Sequence, residues 1–207
     1  SSTARADPRA MTPRALLVAL TVIACPAGAA DTGPSYDCTQ KLTSSVEQQI
    51  CKDEALGALD RQLAGIYQDA WAKTNEADTQ TLVAAQRAWT KTRNDCWKAP
   101  SVAACIENAY RNRIAELQAR YRLLAPVGSA RYLCPGPPAQ EASAEFFATE
   151  PPSAMVTYAG ATQLMRVAPS GSGARYVGGN RQLWEHQGVG LLTWGAGTQE
   201  MRCPKAP

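Results

Sequence analysis

Residues 172–194, SGARYVGGNRQLWEHQGVGLLTW, decide the fold class. Short strand-like runs at 175–177, 182–185 and 189–194 are separated there by Gly178-Gly179-Asn180 and Gln187-Gly188. Runs of that length, broken by glycine-bearing turns, are the pattern of antiparallel hairpins. The texture extends outward, with further runs at 142–149, 154–159, 162–167 and 200–203 and another turn at Gly195-Ala196-Gly197. With a strand before Cys134 the total is about eight, which implies a small antiparallel barrel or sandwich. Cys134 and Cys203 bracket the region. A bridge between them ties first strand to last, and closing a loop of about 70 residues is worth about 4 kcal/mol in the chain-entropy model.

Upstream the period changes. Leu56, Leu59, Leu63, Ile66 and Ala70 recur at alternating spacings of three and four and line one helix face. Ser44-Ser45-Val46-Glu47 has capping-box spacing, and Asp53 is placed to cap a second start. Asp78 is expected to open the next helix, with Leu82, Ala85 and Trp89 as its apolar face. Pro100-Ser101 ends that helix and caps another carrying Ile106, Tyr110, Ile114, Leu117, Tyr121 and Leu124. Three helices with short connections predict an antiparallel bundle. The chain thus reads as α+β in two domains, a disulfide-bonded antiparallel helical bundle followed by a small eight-stranded antiparallel β-barrel. The expected boundaries are 1–30 leader, 31–124 helical, 125–130 linker (Ala-Pro-Val-Gly-Ser-Ala) and 131–207 barrel.

The formal charge of +3 owes +2 to Arg5, Arg9 and Arg14 against Asp7. The remainder is nearly neutral, and no basic run is interleaved with aromatics, so nucleic acid is not an expected partner. Met11-Thr12-Pro13-Arg14 followed by the apolar run 15–24 reads as an export signal, too short to span a bilayer. Residues 1–10 read as an overextended start or a cloning remnant. Val22-Ile23-Ala24-Cys25 resembles a lipobox, which would make Cys25 a lipidated membrane anchor; Ala27-Gly28-Ala29-Ala30 offers ordinary cleavage instead. Of seven cysteines, setting Cys25 aside leaves Cys38, Cys51, Cys96, Cys105, Cys134 and Cys203. An even set in an exported chain points to disulfides. The local pairs Cys38–Cys51 and Cys96–Cys105 are preferred because each closes a short loop, with a cross-bundle pairing the alternative. One histidine and no Cys-x-x-Cys leave no expected metal site, and no cofactor is expected.

Tyr36-Asp37-Cys38, Ile50-Cys51, Leu59-Asp60-Arg61-Gln62-Leu63, Gln86-Arg87-Ala88-Trp89, Arg93-Asn94-Asp95-Cys96 and Cys105 with Tyr110 resemble the LprI-like lysozyme-inhibitor family of exported helical domains. Trp89, Leu63 and Tyr110 read as core, and Arg87 and Arg93 as a solvated or salt-bridged face rather than a site.

Tyr132-Leu133-Cys134, Ser172-Gly173-Ala174-Arg175-Tyr176, Leu183-Trp184 and Cys203 resemble the membrane-bound and periplasmic inhibitors of c-type lysozyme. That resemblance implies an eight-stranded barrel whose serine loop, together with a lysine in a second loop, enters the lysozyme cleft and meets its two catalytic carboxyl groups. The serine corresponds to Ser172. At the lysine position this chain has His186, and Gln187 separates it from Gly188 where the family commonly has Lys-Gly. Histidine, unlike lysine, can lose its charge within the physiological pH range. Arg175 is the alternative cation. Gly171 and Gly173 are expected to let the loop turn sharply, and Tyr176 and Trp184 to brace it from inside the barrel. The expected lysozyme-binding set is therefore Ser172, Gly173, Arg175 and His186.

The expected function is a non-enzymatic envelope inhibitor of c-type lysozyme in the periplasm, or a membrane-anchored lipoprotein, of a Gram-negative bacterium, serving evasion of host defence. The alternative is an envelope adaptor whose helical half binds a protein partner. A Ser172–His186 hydrolase lacks both Gly-x-Ser-x-Gly and a strand–turn–helix setting.

Overall fold

Helix α1 (Ser45–Lys52) begins where Ser44, in extended backbone, accepts the Glu47 N–H while the Glu47 carboxylate accepts the Ser44 N–H. Asp53 is again extended (φ −116°) and accepts the N–H groups of Ala55 and Leu56, starting α2 (Glu54–Ala72). This single extended residue makes four helices where the periodicity predicted three. Helix α3 (Glu76–Asn94) is capped by Asn75, whose side chain accepts the Asp78 N–H. Asp78 therefore lies in the first turn instead of opening the helix. A short 3₁₀ turn (Asp95–Lys98) leads to α4 (Val102–Arg120). The computed structural model describes residue 3 and residues 33–207 apart from residue 137, so Cys25 and the expected leader lie outside the described residues.

Disulfides join Cys38 to Cys51 and Cys96 to Cys105, the local pairing. Val46, Ile50, Leu82, Ile106, Tyr110 and Leu117 make a buried interior. Within it Tyr110 Oη donates to Asp60 Oδ1 (2.6 Å) and accepts from Arg93 Nη1 (2.8 Å). Arg93, only 5% exposed, also reaches Asn94 Oδ1 at 2.8 Å and the Glu47 carboxylate at 3.7 Å. Asp60 is closed from the other side by the backbone N–H of Ser35 at 2.7 Å. Arg93 is thus an interior residue and not part of a solvated face, whereas Arg87 is exposed. Burying this many charges is tolerable only because each has partners. Burial, and then the Asp60 carboxylate, outweigh the opposing charge of Arg93 and leave the Tyr110 hydroxyl far harder to ionise than an ordinary tyrosine.

The second half is a meander of eight strands, each antiparallel to the next: β1 (Gly128–Cys134), β2 (Gln140–Phe147), β3 (Ser153–Tyr158), β4 (Ala161–Ala168), β5 (Ala174–Gly178), β6 (Arg181–His186), β7 (Val189–Trp194) and β8 (Met201–Pro204). Strand β1 takes up Gly128 to Ala130, three residues of the expected linker. The last strand returns to the first through a Tyr132–Lys205 bridge and a 2.7 Å bond from Ala206 N–H to Arg131 O, nearly closing a barrel. Cys134–Cys203 fastens the same seam. Alternate residues fill the interior, among them Ala142, Ala144, Ala154, Met165 and Leu183. Alanines at so many inward positions suit the narrow bore of a small barrel.

The halves pack as one compact unit. Ala119 of α4 is buried against Phe147 and Leu164, outward residues of β2 and β4. Arg122 holds Glu145 with two bonds, 3.0 and 2.6 Å, and Arg166 Nη2 donates to Asn112 O at 3.2 Å. Burial in this seam lowers the pKa of Arg166 from its ordinary value.

Candidate functional site

Strands β4, β6 and β8 run in one direction because neighbours in the meander alternate. Their C-terminal ends therefore share one rim of the barrel, which gathers the 169–173 loop, the Gln187-Gly188 turn and Lys205.

The loop is held down on β6. Gly173 has φ +66°, and a Cβ there would lie 2.1 Å from Glu185 O and 3.3 Å from His186 Cα. Only glycine fits so close an approach in that conformation. Gly171 is different: its backbone is ordinary and an added Cβ meets open space, so only one of the two glycines is structurally required. Ser170 Oγ donates to Gly173 O at 3.0 Å, and Trp184 Nε1 donates to Ser172 O at 2.8 Å. The backbone of Ser172 is thereby fixed while its side chain stays exposed, and its hydroxyl has no hydrogen-bond partner among the described residues.

Trp184 anchors the loop from a face the sequence did not suggest. Leu183 points into the core, so its neighbour Trp184 lies on the outer wall, opposite Arg175 and Leu191 in register. Its ring stands 6.1 Å from that of His186. One indole thus touches both elements of the rim. Tyr176 points inward and packs on Phe146, with ring centroids 5.3 Å apart. His186 pairs with Val189 across a two-residue turn in which Gln187 (φ +50°) and Gly188 (φ +76°) are both left-handed. That is the tight hairpin form, and it fixes where the imidazole is displayed. Arg175 is half-buried and donates from Nε to Gln182 Oε1 at 2.7 Å. Gln182 lies two residues farther from the rim than Trp184, so this guanidinium is drawn away from Ser172.

Three further residues complete the rim. Tyr132 Oη donates to Glu185 Oε2 at 2.9 Å, and Lys205 Nζ donates to Glu185 Oε1 at 3.0 Å. The backbone N–H of Lys205 donates to Gly188 O at 2.9 Å. Burial and then the Glu185 carboxylate raise the pKa of the Tyr132 hydroxyl above the ordinary tyrosine range. A sequence signal for Lys205 existed, because a bridge placing Cys203 against Cys134 brings the residue two farther on alongside Tyr132.

Among the described residues no nucleophilic relay is assembled. No hydrogen bond joins Ser172 Oγ to His186 among the described residues, and Glu185 is engaged by Tyr132 and Lys205 rather than by the imidazole. Among the described residues no cluster of three or more His, Cys, Asp or Glu side chains could hold a metal ion. Nor is any described helix long and apolar enough to cross a membrane.

Two family models match in chain order. "Lysozyme inhibitor LprI" matches residues 38–117, and "Membrane-bound lysozyme-inhibitor of c-type lysozyme" matches residues 132–201. Both describe inhibitors and not enzymes. Proteins named "Lipoprotein LprI" from Mycobacterium bovis and Mycobacterium tuberculosis are each 34% identical over 182 residues, spanning 84% of this chain and 89% of the relative. No solved structure matches. These relatives are mycobacterial, which lends no support to the expectation of a Gram-negative source. Similarity of this extent over both halves places the chain in the LprI family of lysozyme inhibitors, with a barrel of the c-type lysozyme-inhibitor kind following its helical half.

Proposed function

We propose that this protein inhibits a c-type lysozyme by seating the Ser172 loop in the enzyme's catalytic cleft. The carrying observation is an exposed Ser172 hydroxyl, without a partner among the described residues, on a backbone pinned by Gly173 and Trp184, beside the His186 turn. Lysozyme works with one protonated carboxyl group and one ionised carboxylate. A hydroxyl donates and accepts, so Ser172 can satisfy either form. A loop already rigid before binding loses little conformational freedom on docking, which favours affinity.

Long-range charge gives little help. Residues 128–207 carry six basic and five acidic side chains, and c-type lysozymes are cationic, so the encounter is not electrostatically steered. Affinity must come from fit at the rim. The adaptor reading has less support, because Asp60, Arg93 and Tyr110 of the helical half are engaged with one another in its interior. The relatives' name and the lipobox-like Val22-Ile23-Ala24-Cys25 support an envelope lipoprotein anchored through Cys25.

The test is the rate of lysozyme-driven cell lysis with the full chain and with Ser172→Ala. The full chain should suppress lysis, and the variant should need about tenfold more protein or greater, as loss of a hydrogen bond to a charged group implies. A full chain without effect on any c-type lysozyme overturns the reading.

A further inference from the structure

We infer that Lys205, and not Arg175, is the permanent cation of the inhibitory rim, exchanging Glu185 for the ionised carboxylate of the lysozyme cleft on binding. This rests on the lysozyme-inhibitor reading and adds to it a residue in the tail beyond β8. Every other basic group of the barrel is committed elsewhere or placed elsewhere. Arg175 is bonded to Gln182, Arg166 lies in the seam with α4, and Arg181 stacks over Trp194 at 4.4 Å near the opposite rim. Arg131 faces Glu141 at 3.6 Å, and Arg202 is in mid-strand opposite Leu191. Lys205 alone is fastened to the rim, by its N–H to Gly188 O at 2.9 Å and its bridge to Tyr132.

Its main chain is therefore fixed against the His186 turn while its side chain, 44% exposed, is held by the Glu185 carboxylate alone among the described residues. The exchange is feasible because Glu185 is not abandoned when the ammonium leaves. Tyr132 Oη still donates to Glu185 Oε2. In the free protein the pair keeps the lysine oriented and the rim electrically balanced. In the complex, water is excluded from the cleft, and a charge-assisted bond from the ammonium to a carboxylate is stronger than in the open rim. Ser172 then meets one carboxyl group and Lys205 the other.

The experiment compares the full chain with Lys205→Met, Lys205→Arg and Glu185→Gln, reading the inhibition constant against a c-type lysozyme at low and high salt beside the thermal midpoint. Lys205→Met should weaken inhibition about tenfold or more at low salt and remove most of its salt dependence. Lys205→Arg should retain inhibition, and Glu185→Gln, which frees the ammonium, should inhibit at least as well as the parent. Parent-like inhibition by Lys205→Met overturns the role of Lys205 and leaves the Ser172 reading intact. Equal losses in Lys205→Met and Glu185→Gln also overturn it, since the pair would then be only a brace. A parent chain that does not inhibit defeats the underlying reading itself.

Discussion

The helical half buries a small charged cluster and the barrel displays polar groups at a rim. Asp60, Arg93 and Tyr110 bond one another in a buried cluster, with Glu47 at its edge, whereas Ser172 lies on an exposed loop, half-buried His186 ends β6, and exposed Lys205 follows β8. The staples differ in the same sense. Cys38–Cys51 and Cys96–Cys105 close separations of 13 and 9 residues, while Cys134–Cys203 spans 69 and joins first strand to last. Short staples set local geometry, and the long one secures the seam from which Lys205 emerges. The contrast teaches that similar residue types serve folding in one half and recognition in the other, according to whether their partners are internal.

The largest effect should come from Asp60→Ala. It removes the acceptor of Tyr110 Oη and Ser35 and leaves Arg93 buried with fewer partners, a change expected to cost about 3–5 kcal/mol in urea unfolding. At temperatures where the variant is folded, lysozyme inhibition should be unchanged. A small stability loss combined with lost inhibition would instead make the helical half part of the recognition surface and dissolve the contrast.

Gly173→Ala comes next. The left-handed backbone and the approach to Glu185 O force the loop off β6, at a cost of about 1–3 kcal/mol, and inhibition should fall about tenfold or more. Gly171→Ala, with open space around the added methyl, should alter neither quantity. If the two alanine variants behave alike, the pinned geometry of the Ser172 loop is irrelevant to inhibition.

The residues that were legible in advance carry their message locally. Ser44, Asp53 and the glycine turns act on their own backbone, so a short window sufficed to place the first helices and most strands. The one-residue break at Asp53 was half visible: the cap was recognised, but not that it separates an eight-residue α1 from α2. Asp78 was misplaced because Asn75, three residues earlier, caps as well and lies nearer the preceding turn. Trp184 was expected to brace the loop from inside the barrel, yet strand alternation around Leu183 puts it outside, and only the register decides that. The docking of α4 on β2 and β4 through Ala119, Phe147 and Leu164 left no pattern, because an outward apolar residue reads the same whether covered or bare. Lys205 was missed because its position depends on closure of a sheet whose first and last strands are far apart in sequence.

The smallest effect is one of pH, and it separates the halves by the groups that titrate. Burial alone would raise the Glu47 pKa, but bonds from Thr43 and Ser44 and the nearby Arg93 outweigh it and hold the carboxyl below its ordinary value. A carboxyl whose folded pKa lies below its unfolded value, about 4.3 for glutamate, stabilises the fold fully above that unfolded value. The contribution is lost as pH falls through the folded pKa. Stability measured by urea unfolding should therefore decline on acidification below about pH 5, and Glu47→Gln should flatten that decline while lowering stability at neutral pH. Asp37 is also held low, by Thr39 and Gln40, but it is exposed and its bonds stay within its own turn. Asp37→Asn should accordingly leave the acid limb nearly unchanged. An acid limb insensitive to Glu47→Gln would mean that the capping box and the Arg93 contact add no net stability, and that the inward charges are held by Asp60 and Tyr110 alone.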